Sequence, residues 1–361
     1  MEPWVDYEFR KDSPIGLGYR VPMLVASPWS KGGYVNSQVF DHTSSLMFLE
    51  KFLSHKTGKQ IKSEVISPWR RAICGDLTSV FRPYHGEDLK TPERLKKEKV
   101  ITGIQNAKSK PAQVTPTALS KTEIDKINTY LPFSKDASTF AAVQEQGTRL
   151  ACALPYQLAV DAGLNAEKTV LKLNFAAAKT AFGQQLEAAG AAFNVYTAGK
   201  YKKEAGKTWA YAVKAGDSLT DSWEITAFEN GNYDLNVNGP NGFFRQFKGD
   251  AADPAIEMAS VYEQSGLLKK LTGNVQLILE NKENTTVEVL IKDEAYMANS
   301  KTIKIAANSK KIVTLNLQKS KGWYDFVITV AGRPNFLKHY AGHVETGEES
   351  ISDPLMGGVI A

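Results

Sequence analysis

Nine segments decide the fold: TVLKLNF (169–175), AAFNVYTA (191–198), TWAYAV (208–213) and YDLNVNG (233–239), followed by NVQLILEN (274–281), TTVEVLIKD (285–293), KTIKIAA (301–307), KKIVTLNL (310–317) and WYDFVITVA (323–331). Apolar and polar residues alternate in each, and Gly, Asn and Asp punctuate the gaps. An extended chain points successive side chains to opposite faces, so this alternation predicts strands with one buried face. Short strands at such spacings predict antiparallel β-sandwiches.

The two sets read as one unit written twice. Tyr233-Asp234 opens LNVNG and Tyr324-Asp325 opens FVITV, with Ser222-Trp223 upstream of the first pair and Trp323 directly before the second. Each copy closes on aromatic residues. Pro240-Asn241-Gly242-Phe243-Phe244 leads to Phe247 and Gly249, while Pro334-Asn335-Phe336 leads to Tyr340 and Gly342. LKLNF around Asn174 and LILEN around Asn281 start alike. The expected organisation is therefore one sandwich over 161–252, a second over 253–347, and a tail over 348–361.

Upstream the pattern changes. PMLVAS (Pro22 to Ser27) predicts a short buried strand, and PWSKGGYVNS a glycine-containing loop. In FDHTSSLMFLEKFLSH, Leu46, Phe48, Leu49, Phe52 and Leu53 recur at helical spacing, with Asp41 or Thr43 as N-cap, because a short oxygen-bearing side chain satisfies free first-turn amides. Strand, loop and helix together suit an α/β layer over 1–90. The region 91–160 is lysine- and proline-rich and predicts a linker with short helices such as Thr91 to Lys99, able to wrap over the first domain.

Composition narrows the function classes. Of 361 residues, 42% are hydrophobic and 23% charged, as in ordinary globular proteins. The net charge of +5 leaves a small cationic surplus that favours anionic partners only weakly. The basic run KTPERLKKEK (90–99) has no interleaved aromatics, which argues against a nucleic-acid partner. Cys74 and Cys152 are expected to stay unpaired, and their spacing is not that of a metal site. MEPWVDYEF is not a signal peptide, and no run of 18 or more apolar residues occurs.

The inventory of reactive residues is sparse. P-loop, GxGxxG, GxSxG, HExxH and EF-hand patterns are absent. His339 and His343 point to one face of a strand but lack third and fourth ligands for zinc. Asp41-His42-Thr43 is the one acid, histidine and hydroxyl cluster of the first region, so Asp41 and His42 are the catalytic candidates. Three neighbours at a helix start face apart, and helix capping by Asp41 and Thr43 with a buried, hydrogen-bonded His42 is the competing structural role.

The stretches GLGYRVPMLVASPWSKGGYVNSQVFDHTSSLMFLEKFL (16–53) and ISPWRRAICGDLTSVF (66–81) closely resemble bacterial phosphocholine-specific phospholipases C. The carriers are Gly18, Arg20, Val21 and Pro22, the Ser27-Pro28-Trp29-Ser30 turn, Gly32-Gly33, Phe40 to Ser44, Trp69-Arg70-Arg71 and Gly75 to Thr78. The duplicated sandwich, ending in GHVETG and SDPLMG, is similar to that family's paired C-terminal domain. The resemblance implies an α/β remnant of an alkaline-phosphatase-like phosphoesterase domain followed by two antiparallel β-sandwich domains. It implies hydrolysis of phosphatidylcholine or sphingomyelin to diacylglycerol or ceramide plus phosphocholine, assisted by a divalent metal, in a secreted or periplasmic protein.

The family's asparagine and acidic metal-binding motif, hydroxyl nucleophile and Asp-His motif have no counterpart here. Metal ligands are therefore expected in a missing N-terminal catalytic portion, and this chain alone is expected to be inactive. Asp41 and His42 are the residues that carry over. Two competing expectations are a non-catalytic tandem sandwich that binds lipid surfaces or a secretion partner, using Trp209, Phe243, Phe244 and Trp323 as interfacial aromatics, and a related acid phosphatase.

Overall fold

The computed structural model describes residues 17–18, 21–82, 86, 94, 96–112, 114–115, 117–129, 146–180, 182, 187–267 and 269–359. Most of it is antiparallel sheet. The first seven main strands are β1 Leu158–Leu164, β2 Val170–Ala177, β3 Ala191–Thr197, β4 Thr208–Val213, β5 Asp217–Glu224, β6 Tyr233–Asn238 and β7 Phe244–Gly249. The next seven are β8 Ile256–Ser265, β9 Lys270–Asn281, β10 Val287–Asp293, β11 Lys301–Ile305, β12 Lys310–Leu315, β13 Trp323–Val330 and β14 Arg333–His343.

The duplication expected from the sequence is present in the topology. β1-β2-β5 form one three-stranded sheet and β8-β9-β12 another, while the remaining strands make a single eight-stranded sheet ordered β11-β10-β13-β14-β7-β6-β3-β4. Each half of that sheet repeats the same connectivity and packs beneath its own three-stranded sheet. In the first unit Phe175 of β2 stacks on Tyr211 of β4 at 4.6 Å and meets Phe193 of β3 at 5.6 Å. In the second, Leu277 and Leu279 of β9 share a core with Val289, Ile291 and Ile328. Burying each such side chain contributes about 1.5–3 kcal/mol relative to leaving it in water. This two-layer packing is consistent with the sandwich expectation.

The units meet through their equivalent last strands. β7 and β14 pair antiparallel, with Gln246 opposite His339 at the centre, Arg245 opposite Tyr340 and Phe247 opposite Lys338. Exchanging the two strands maps this register onto itself, so a local two-fold passes between Gln246 and His339 and makes Arg245 the counterpart of Lys338. The same two-fold relates Asp234, which accepts from Gln246 Nε2 at 2.8 Å, to Asp325, 2.5 Å from His339 Nε2. One expected parallel does not hold. Trp223 lies on β5, whose counterpart is β12, whereas Trp323 starts β13, so the two tryptophans occupy different strands of the repeat.

Residues 21–82 contribute α1 (His42–Thr57) and α2 (Pro68–Ile73) and no strand longer than a bridge residue. Within the linker region lie α3 (Lys97–Asn106) and α4 (Lys121–Thr129). The helix expected over Thr91 to Lys99 starts outside the described residues, and the described helix begins at Lys97. PMLVAS is not the buried strand its composition predicts. Val21, Met23 and Leu24 are 77%, 56% and 97% exposed, because no partner strand lies beside them among the described residues.

The early segment is nevertheless seated on the first unit. Met47, Ile66, Trp69, Ile73 and Cys74 form a small core closed by Ala212 of β4. Val39 N donates to the Tyr156 hydroxyl at 2.9 Å. At Gly190 a Cβ would run into the carbonyl oxygens of Ala72 and Val213, so only glycine lets the two backbones approach this closely. Val35 bridges Ala151, and Leu150–Ala151 pairs with Ser350–Ile351, which ties the early segment to the last strand.

Candidate functional site

Asp41 sits at the N-cap of α1 and forms a capping box with Ser44. Its carboxylate accepts from Thr43 N at 2.8 Å and Thr43 Oγ1 at 2.6 Å, and it pairs with Arg70. Burial pushes its pKa up, but the contacts from Thr43 and Arg70 outweigh this and hold the carboxyl below the usual range. An acceptor engaged this fully is a poor general base. His42 is exposed, which corrects the expectation of a buried, hydrogen-bonded histidine: it projects outward from the first helical turn. The structure therefore keeps Asp41 and His42 adjacent in the chain without converging their side chains on one point.

Behind them Arg71 makes a two-pronged contact with Glu50, both at 2.8 Å, and donates to Ser63 O. Burial pushes the neighbouring Cys74 thiol up to about 12 and keeps it inert. Both cysteines are free, as expected. The outward side of α1 is apolar: Leu46, Leu49 and Phe52 are each close to half exposed.

Two further clusters bring together residues that sequence reasoning left apart. At the joint between the units, Arg245 and Lys338 are both buried, at 2% and 4% exposure. The Arg245 guanidinium lies 3.9 Å from the Phe243 ring centroid and 4.9 Å from that of Tyr340, and Nη2 donates to the Tyr324 hydroxyl. Lys338 Nζ donates to Ala162 O at 2.7 Å, and desolvation pulls its pKa down to about 8 despite Asp161 and Asp253 nearby. Burial in turn raises the Asp161 carboxyl. Tyr233 donates to Asp253 within the same interior.

At the second cluster, His343 Nδ1 is 3.0 Å from Glu345 Oε1 and Nε2 is 2.9 Å from Ser350 Oγ. The order resembles a serine, histidine, acid triad, but Nε2 also lies 3.0 Å from Lys321 O. With Lys321 O and Ser350 Oγ both at Nε2, the Ser350 hydroxyl is not the sole partner of that nitrogen, as a nucleophile in a triad would be. The cluster pins the tail to the second unit, aided by Trp323 Nε1 donating to Ile351 O at 3.1 Å. His339 and His343 each take a carboxylate partner, and among the described residues no group of three or more His, Cys, Asp or Glu is placed to hold a metal.

Residues 150–250 and 256–343 each match the family model for the C-terminal domain of bacterial phospholipase C. The chain belongs to this family. The two matched ranges coincide with the two layered units, and residues 1–54 match the phosphoesterase family. This phospholipase C family chain is 35% identical over 350 residues to a non-hemolytic phospholipase C of Pseudomonas aeruginosa, covering 96% of this chain and 45% of that protein. It is 33% identical over 369 residues to a hemolytic phospholipase C of the same organism, covering 97% and 46%. A phospholipase C A of Mycobacterium tuberculosis is 41% identical over 68 residues, 19% of this chain and 12% of its own. The chain thus spans less than half the length of the first two relatives. A red sea bream transglutaminase structure matches at TM-score 0.18 and 7% identity over 56% of this chain and 31% of its own, which carries no argument.

Proposed function

We propose that this chain is the C-terminal part of a phospholipase C that hydrolyses phosphatidylcholine or sphingomyelin to diacylglycerol or ceramide and phosphocholine, and that it is inactive without an N-terminal phosphoesterase portion. The observation that carries this reading is the double match to the phospholipase C C-terminal domain on top of a duplicated fold. The divalent metal that the family resemblance implies has no ligand set among the described residues, and in this reading its ligands lie in that other portion. In this reading residues 1–90 are the end of its alkaline-phosphatase-like α/β layer, 91–160 the linker, 161–252 and 253–347 the sandwiches, and 348–361 the tail.

The exposed apolar side of α1 and the extended run from Val21 to Leu24 support the same assignment, because both need apolar cover that the described residues do not supply. Asp41 and His42 would sit at the margin of the catalytic centre, Asp41 as cap and anchor for Arg70. Secretion or periplasmic placement belongs to this reading too. No helix among the described residues is long and apolar enough to cross a membrane.

The lipid-binding role of the loop aromatics loses its support, since Phe243 and Trp323 are only 6% and 7% exposed, Trp209 packs edge-on against Trp223 and the half-buried Phe244 packs edge-on against His339. The test is product analysis with the protein carrying its phosphoesterase portion. Release of phosphocholine from phosphatidylcholine is expected. Release of inorganic phosphate from phosphomonoesters, with phosphatidylcholine untouched, would replace this reading with the acid phosphatase.

A further inference from the structure

The β8–β9 hairpin stands beyond the rest of its sheet. β12 pairs with β9 only from Glu280 to Val275, while β8 and β9 continue to the Ser265 and Lys270 pair, so the last turn of the ladder is a two-stranded ribbon. At about 3.4 Å per residue it outruns the third strand by roughly 15 Å, with Leu271 along it still buried. Its tip is a turn closed by Lys269 N donating to Gly266 O at 3.2 Å, with φ of 69° at Gly266 and 49° at Lys269. Leu267 at that tip is 103% exposed, the most exposed large apolar side chain among the described residues.

The surroundings are cationic. Lys269 and Lys270 stand two and three residues after Leu267, and Lys319 and Lys321 lie in the connection at the base of the ribbon, held there by Leu317 N donating to Asn274 Oδ1 at 3.0 Å. All four are exposed, and no ion pair or hydrogen bond engages their ammonium groups. The nearest ribbon carboxylate, Glu263, is already occupied by Thr272, Asn274 and Thr314 at 2.7, 2.9 and 3.1 Å. Met297, 76% exposed, lies in the β10–β11 connection at the same end of the unit, since Asp293 pairs with Phe326 near the start of β13.

We propose that this end of the second unit docks on an anionic lipid bilayer, with Leu267 entering the boundary between headgroups and acyl chains and Lys269 and Lys270 of the same turn meeting lipid phosphates. A protein partner fits less well. Protein interfaces are depleted of lysine at their centres, whereas an exposed leucine with paired lysines at the same hairpin tip matches a surface whose apolar interior lies beneath negative charge. The proposal rests on the phospholipase reading only for the expectation that a bilayer is the working surface. Binding of this kind is weak, reversible and weakened by salt.

The test is co-sedimentation of the purified chain with vesicles of phosphatidylcholine alone and of phosphatidylcholine with an equal part of phosphatidylglycerol. The wild type should sediment preferentially with the anionic vesicles. Leu267→Asp should lower partitioning by roughly tenfold, and Lys269→Glu with Lys270→Glu by at least about fivefold per lysine, while the control Lys56→Glu with Lys59→Glu on the far end of α1 should bind as wild type does. Absence of binding to anionic vesicles by the wild type, or equal binding by the tip variants and the control, overturns the proposal. The two readings fail separately. Turnover of a water-soluble phosphocholine ester by the protein with its phosphoesterase portion involves no bilayer, so its loss counts against the phospholipase and not against docking.

Discussion

Lys338→Met replaces a buried ammonium with an apolar side chain of similar reach, and its effect should depend on pH in a calculable way. Lys338 is buried at the joint, and desolvation lowers its pKa from 10.5 in the unfolded chain to about 8 in the native state. A base whose native pKa is depressed destabilises the fold while it is charged in both states. That penalty is complete below pH 8 and is relieved as pH rises from about 8 to 10.5, where the unfolded chain binds the extra proton. At about 1.4 kcal/mol per pH unit, roughly 3 kcal/mol accrues across that window. Lys338→Met lacks this gain. Urea unfolding at pH 7.5, 8.5 and 9.5 should therefore show wild-type stability rising relative to the variant by more than about 1 kcal/mol over that range. Parallel curves would refute the reasoning, because they would mean that Lys338 titrates as an ordinary solvated lysine.

Gly190→Ala should loosen the seat of α2, since its Cβ meets the Ala72 and Val213 carbonyls. Overpacking of this kind costs about 1–3 kcal/mol, and the buried Cys74 thiol should react with a disulfide reagent severalfold faster than in the wild type. Asn281→Leu should lower the urea midpoint by the equivalent of about 3 kcal/mol or more, because Asn281 is fully buried, donates to Thr285 O, Ile305 O and Ala306 O, and accepts from Glu283 N. Asp41→Ala should cost about 1 kcal/mol through loss of the α1 cap, read by the same unfolding assay.

Most of the strands and their duplication were legible because period-two alternation is a local property and recurs in both copies, whereas β1, β5, β7 and β8 fell outside the segments so read. The register that joins the copies was not. Nothing in either segment alone says that Gln246 will face His339, since that pairing depends on two whole units meeting edge to edge. A signal for the buried cations did exist. Arg245 precedes Phe247 and Lys338 precedes Tyr340 at the two-residue spacing of one strand face, so each cation shares the inner face with an aromatic residue, but a charged residue in an alternating pattern reads as solvent-facing. The helix at 42–57 was legible for the same local reason, whereas its apolar stripe specifies that a face needs cover without saying what covers it. PMLVAS misled because apolar composition predicts burial only where a partner strand exists. His343 and Ser350 come together through a chain reversal that no spacing rule anticipates. Leu267 looks like any leucine beside a glycine until the ribbon is seen to outrun its third strand.

The most direct test of the account is hydrolysis of a chromogenic phosphocholine ester, with divalent metals added, by the purified 361-residue chain and by a form extended upstream with the phosphoesterase portion. The account predicts turnover by the extended form and none by the chain alone. Turnover by the chain alone would contradict it, because the catalytic centre would then lie within this chain.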